Sequence, residues 1–229
     1  MKKTIAFILA LLMVLSVTAF AADEDLAPEG WEAVSSGAKL IKPKSGSAWI
    51  HAWIELKNTG DVPLYLGSSD LEVISGEDHH EQTLRSVGAF PQVLLPGETG
   101  VYDTVTLADS DLPSKGLSVR ADLEISEARV SCVRYDVTGL KIKADKYKRV
   151  IASGKISNGT NAVTEGLTYV GVLCYNKAGK YMGLLYTILS DDINPGEDLA
   201  FKTMPPNWKV KAEDIKETVT FAFKNQLQF

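Results

Sequence analysis

The chain has 229 residues, with 24 lysines and arginines against 29 aspartates and glutamates, a formal charge of −5, and two cysteines. The acidic balance argues against nucleic acid as a partner, because phosphate binding needs a basic surface. It also leaves no polybasic patch for an anionic membrane.

The first residues read as a secretory signal peptide spanning 1–21. Lys2 and Lys3 form a charged start, and Ile5 to Val17 is an apolar run. That run is short of the roughly 20 residues a membrane-spanning helix needs. Ala19-Phe20-Ala21 supplies a small-x-small cleavage site, which places the mature start near Ala22. Loss of the two lysines takes the formal charge from −5 to −7. The expectation is a bacterial chain that is secreted or held at the cell surface, with no stable membrane insertion after cleavage. About 208 residues then remain, enough for two domains of roughly 100.

Residues 22–35 read as a flexible, acidic lead with Trp31 as the first anchored side chain. Strands then follow at spacings of about 8–12 residues, the signature of a sandwich. Residues 48–57 are the clearest. Ile50, Ala52, Ile54 and Leu56 fall on one face, and Trp49, His51, Trp53, Glu55 and Lys57 on the other. Further strands are expected at 62–67, 70–75, 100–107 and 117–125. The last alternates Leu117, Val119, Ala121, Leu123 and Ile125 inward. These residues make a first domain over 36–126. A second covers 127–229, with strands near 130–137, 147–157, 166–176, 180–189, 197–203 and 217–224. The near absence of a linker predicts end-to-end contact between the two. A short helical turn is expected at 211–215. Tyr175-Asn176-Lys177-Ala178-Gly179-Lys180 reads as a hairpin turn, with Asn176 and Gly179 where positive φ is tolerated.

A repeat ties the two domains together. Asn58 is followed 38 residues later by Pro96-Gly97-Glu98, and Asn158 is followed 37 residues later by Pro195-Gly196-Glu197. Each copy is a strand ending in an Asn/Gly turn, then a Pro-Gly-Glu turn entering another strand. Leu95-Pro96-Gly97-Glu98-Thr99-Gly100 superficially resembles a sortase signal. It has one residue too many and no hydrophobic tail behind it, so it reads as a turn.

The second domain resembles the FxLYD class of bacterial extracytoplasmic domains. The resemblance lies in Gly154-Lys155-Ile156-Ser157-Asn158, Val172-Leu173-Cys174-Tyr175-Asn176 with Gly179, and Ile193-Asn194-Pro195-Gly196-Glu197 leading to Phe201. The name motif is matched at Tyr175, while Val172, Cys174 and Asn176 replace its Phe, Leu and Asp. The first domain looks like a more distant relative through Asn58 and Pro96-Gly97-Glu98. The resemblance implies an all-β chain of two tandem immunoglobulin-like sandwiches outside the membrane. It implies no catalytic residue.

The sharpest candidate binding residues are Trp49, His51 and Trp53. Alternate residues on one strand face are spaced by roughly 7 Å. Two indoles in that row would stack on successive sugar rings if the face were open. If a neighbouring segment or the second domain covers the face, the same tryptophans are core. Gly76-Glu77-Asp78-His79-His80-Glu81 offers metal-ligand chemistry, but adjacent histidines on an extended chain point apart, and a solvated hairpin loop is the simpler reading. Asp191-Asp192 with Glu197-Asp198, and Asp109-Ser110-Asp111, carry oxygens suited to calcium. They flank turns where Asp caps its own backbone. Cys132 and Cys174 are either a disulfide or two buried thiols. Asn158-Gly159-Thr160 fits a glycosylation sequon but reads as the turn.

The three histidines lie in the first domain and both cysteines in the second, and no nucleophile, metalloprotease or phosphate-loop motif is present. The expectation is therefore no catalytic residue, cofactor or metal. It predicts a non-enzymatic interaction module for a protein or cell-envelope component. The alternative is a carbohydrate-binding protein using Trp49, His51 and Trp53.

Overall fold

Period-two alternation dominates the chain and produces strands throughout. A computed structural model describes residues 30–43, 46–76, 79–113, 115–129, 131–159, 166–205 and 210–226. The signal peptide expected at 1–21 lies outside them. The first half forms β1 (Trp31–Ile41), β2 (Trp49–Asn58), β3 (Leu64–Leu66), β4 (Ser69–Ser75), β5 (His80–Val87), β6 (Ala89–Phe90), β7 (Val93–Leu94), β8 (Thr99–Leu107), β9 (Leu117–Ala121) and β10 (Ile125–Glu127). The second forms β11 (Ser131–Arg134), β12 (Asp136–Ala144), β13 (Val150–Ser157), β14 (Thr168–Tyr175), β15 (Tyr181–Leu189), β16 (Asp198–Lys202) and β17 (Glu217–Gln226). A 3-10 turn at Ala212–Asp214 precedes β17, within the turn expected at 211–215.

All pairing is antiparallel, and no strand of the first half pairs with one of the second among the described residues. The first half has sheets ordered β1-β2-β8-β6, β5-β4-β9 and β10-β3-β7. The second has β12-β13-β16 and β11-β17-β14-β15. The repeat seen in the sequence is thus a repeat of pairing: β1-β2-β8 corresponds to β12-β13-β16, and β5-β4-β9 to β15-β14-β17. Each half is β-sandwich-like. Ile50, Ile54, Leu56, Leu71, Val73 and Val119 meet in the first core, with the expected inward face of β2 wholly buried. Val150, Ala152, Val172, Cys174 and Leu185 meet in one part of the second, and Ile156, Val170 and Phe201 in another.

The repeated motif has one physical job in both copies. The side chain of Asn58 is fully buried; its Nδ2 donates to Val62 O at 2.8 Å and Leu94 O at 2.9 Å, and its Oδ1 accepts from Gly60 N at 3.0 Å. Its backbone is tied to the distant turn by Asn58 N to Glu98 O at 3.0 Å and Gly97 N to Asn58 O at 2.9 Å. Asn158 is equally buried, and its Nδ2 donates to Ile193 O. Its N reaches Glu197 O at 3.2 Å. Both turns place glycine where φ is positive, at +80° for Gly97 and +81° for Gly196, which any side chain would resist. Each Glu then accepts from the backbone three residues earlier: Leu95 N to Glu98 Oε2 at 2.9 Å, Asn194 N to Glu197 Oε2 at 3.3 Å.

Three expectations change. Of the flexible lead expected at 22–35, residues 22–29 lie outside the described residues, and from Trp31, the expected first anchored side chain, the chain is already strand β1. Its alternate residues Trp31 and Ala33 pack on the first core, and Trp31 pairs with Asn58. The expected strand 117–125 divides into β9 and β10 around residues 122–124, although Leu123 and Ile125 remain buried. The hairpin after β14 uses positive φ at Gly179, at +70°, and not at Asn176. Asn176 instead accepts Ala178 N at 2.8 Å and Lys180 N at 3.1 Å through Oδ1.

Candidate functional site at the seam between the halves

The outer face of β2 carries the aromatic row. Register places Gly37 and Lys39 of β1 beside Trp53 and His51, and Asp103 and Val105 of β8 on their other side. Paired residues of antiparallel strands project to the same side, so all of these share one face. That face does not look into solvent. Trp53 and Val101 join Leu173, Tyr175, Tyr181, Phe221 and Phe223 of the second half in one cluster. The halves therefore meet sheet against sheet, not end to end. The β2 face of one repeat lies on the β14 face of the other.

This placement decides the fate of the predicted binding residues. Trp53 is 8% exposed and His51 is 3% exposed. Trp49 is half-buried and packs against the cluster of Ile41, Val172 and Cys174. An open platform of two stacked indoles is thus replaced by a covered row. Ala52 on the opposite face is small but fully buried in the first core, so the tryptophans lie on the seam side.

Burying this face required partners for its polar groups. Tyr175 donates its hydroxyl to Glu55 Oε1 at 2.6 Å, and Ser35 donates to Glu55 Oε2 at 2.8 Å. Tyr181 donates to Asp103 Oδ2 at 2.7 Å, and His51 Nε2 lies 2.8 Å from the same oxygen. The rings of His51 and Trp53 sit 5.2 Å apart, and Trp53 and Tyr181 6.0 Å. Burial, reinforced by the neighbouring carboxylates, pushes the hydroxyls of Tyr175 and Tyr181 well above the ordinary phenol range. Both remain donors at neutral pH. Trp53 Nε1 is buried without a hydrogen-bond partner among the described residues.

A second group of contacts fixes the other end of the seam. Arg134 of β11 donates through Nη2 to Glu98 Oε2 at 2.5 Å and to Val93 O at 2.8 Å, and through Nε to Glu98 Oε1 at 3.2 Å. Its guanidinium lies 5.8 Å from the Phe221 ring centroid and 5.3 Å from that of Phe223. Phe90 packs edge-on to Phe223 at 5.2 Å. It also fills the space above Gly171, where a Cβ would come within 2.0 Å of the ring. Gly171 is glycine because the other half's aromatic ring occupies the place of a side chain.

At its edge the seam opens into a cleft of about 400 Å³. This lies within the roughly 300–1,000 Å³ of small-molecule sites. Its base includes His51, Trp53 and Tyr181, and Ile41, Met182 and Val210 give it apolar walls. The β14–β15 hairpin contributes Asn176 and Lys180, and the end of β1 contributes Lys39 and Lys42. The sequence pointed to His51 and Trp53 but missed the residues brought from 120 and more positions away. A signal existed: reading the copies against each other at an offset of 100 pairs Trp53 with Ser153 and Glu55 with Lys155, which marks the β2 outer face as the more deeply covered of the two.

The remaining predicted ligands are engaged elsewhere or stand apart. His79 Nε2 lies 3.4 Å from Glu81 Oε1 on the surface, and Glu77 and Asp78 fall outside the described residues. Asp192 Oδ1 accepts from Lys224 Nζ at 2.9 Å, Asp198 accepts from Ser157, and Glu197 Oε2 accepts from Asn194 Nδ2 at 2.8 Å. Ser110 donates to Asp111 Oδ1 at 2.7 Å. No group of three or more metal-ligating side chains gathers among the described residues. Cys132 and Cys174 are both free, on strands that flank β17. Burial pushes the Cys174 thiol up to about 12.

Compared with family models, with curated proteins and with solved structures, the chain matches none. The described residues contain no helix long and apolar enough to cross a membrane.

Proposed function

We propose that the protein is an exported, non-enzymatic binding module of the cell envelope or extracellular space, built from two tandem immunoglobulin-like sandwiches. The resemblance of residues 127–229 to FxLYD domains supports the fold reading, and so does the shared pairing order of the two halves. The module engages a protein or cell-envelope component, with the seam cleft as its receptor site. The observation that carries this reading is the cleft itself. Side chains from both repeats converge on it, and a buried polar network holds those repeats in one relative position. Preorganisation of this kind lowers the cost of binding. His51, Asp103 and Tyr181 are occupied with one another beneath the cleft, which suits a supporting role over proton transfer to a substrate.

The test is co-sedimentation of residues 22–229 with isolated bacterial envelope fractions, using wild type and Met182→Trp, which fills the cleft. Saturable retention that Met182→Trp abolishes, with an unchanged circular dichroism spectrum, is the expected result. Retention indifferent to the plug, or none with any fraction, would overturn the reading.

A further inference from the structure

The cleft has a sign. Three lysines belong to its lining, Lys39, Lys42 and Lys180, and no aspartate or glutamate does. All three lysines are exposed, and none makes an ion pair among the described residues. In contrast, Lys155, Lys211 and Lys224 each face a carboxylate within 4 Å. Asp103, half-buried beside the base, is engaged by His51 and Tyr181 and lines a separate cavity. A chain of formal charge −5 thus places three lysines without an ion pair among the described residues at a cleft lined from both halves. Low-dielectric walls around such a cleft focus its potential. Apart from Asn176 the rest of the lining is apolar or aromatic, and the buried Trp53 indole N–H has no hydrogen-bond partner among the described residues.

We infer that the seam cleft takes a small organic anion: a carboxylate, sulfonate or phosphate group set against Lys39, Lys42 and Lys180, joined to an apolar or aromatic body lying along Ile41, Met182 and Trp53. The inference rests on the cleft being the module's receptor site and adds the class of ligand. Both halves are needed, because Lys39 and Lys42 come from the first and Lys180 from the second. A ligand bound there bridges the seam and stabilises the docked arrangement by mass action.

Two probes of one shape separate charge from apolar fit. 1-Anilinonaphthalene-8-sulfonate carries the anion, and N-phenyl-1-naphthylamine is its neutral counterpart. Each is titrated into residues 22–229 and followed by its own emission and by quenching of the tryptophans. The anionic probe is expected to bind with 1:1 stoichiometry at least tenfold more tightly than the neutral one. In the triple variant Lys39→Gln/Lys42→Gln/Lys180→Gln, the anionic probe should weaken about tenfold, at two- to threefold for each exposed cation. The neutral probe should be unaffected. A control triple, Lys141→Gln/Lys143→Gln/Lys202→Gln, removes the same charge from the exposed β12-β13-β16 sheet and should leave both affinities unchanged. Equal affinity for the two probes would overturn the inference. So would a cleft triple within threefold of wild type, or a control triple that weakens the anionic probe equally. If the probes fail while Met182→Trp still abolishes envelope retention, the binding module stands and only the anionic ligand class falls.

Discussion

The outer face of β2 and the outer face of β13 occupy the same place in the two repeats, and they differ at nearly every position. β2 presents Trp49, His51, Trp53, Glu55 and Lys57, whereas β13 presents Ile151, Ser153, Lys155 and Ser157. His51, Trp53 and Glu55 are buried, whereas Ser153 and Ser157 are half-buried and Lys155 exposed. The two three-stranded pairings beneath are shared, and Asn58 and Asn158 each tie their strand to the Pro-Gly-Glu turn. The Pro-Gly-Glu turns diverge in the same sense. Glu197 is closed on its own Asn194, whereas Glu98 extends its carboxylate to Arg134 of the other half. Two repeats that share a pairing order thus differ sharply on the face that makes the interface.

Swapping the residues at one equivalent pair strains this comparison most. Trp53→Ser is expected to cost about 3–5 kcal/mol, the range for truncating a buried large aromatic. The converse change, Ser153→Trp, should stay within about 0.5 kcal/mol, as on an ordinary surface. Urea denaturation of both variants measures the difference, and equal costs would mean that the β2 face contributes no more than the β13 face.

A smaller effect is expected at the close approach. Gly171→Val drives a side chain into Phe90 and should cost about 1–3 kcal/mol by overpacking. Adding Phe90→Ala removes the obstacle, so the double variant should lose less than the sum of the two single changes. Strict additivity in the same denaturation experiment would show that Phe90 does not occupy the space over Gly171.

A further effect is absent at neutral pH and confined to alkaline solution. Tyr175 and Tyr181 have raised pKa values in the folded chain, so the unfolded chain releases these protons first. Their stabilising contribution is complete below about pH 10 and declines above it. The expected slope is up to about 1.4 kcal/mol per pH unit for each phenol. Tyr175→Phe/Tyr181→Phe should flatten the fall in stability between pH 10 and 11.5, and an unchanged slope would place both hydroxyls in water.

Local pattern made much of the first half legible. The alternation of Ile50, Ala52, Ile54 and Leu56 identified β2 and its core face, and the Asn58 and Asn158 motifs located the repeated turns. β1 was harder to read because Ser35, Ser36 and Gly37 interrupt its apolar side, and the weight of that strand comes from pairing with β2. At the site, the strand pattern showed that Trp53 and His51 share a face but not what lies above it. Tyr175 is 120 residues from Glu55, and no local preference encodes that meeting.

The seam also has a direction. It joins the β1-β2-β8 side of one repeat to the β15-β14-β17 side of the next, two unlike surfaces. A contact between unlike surfaces has a head and a tail, and iterated without change it yields a ring or an open filament, not a two-fold pair. The two surfaces left over carry salt bridges: Arg85 with Asp70 and Arg120 with Glu72 at one end, Lys155 with Asp198 at the other. Such charged faces are unlike the aromatic faces that meet at the seam, and a third copy would find no apolar surface of the same kind on them.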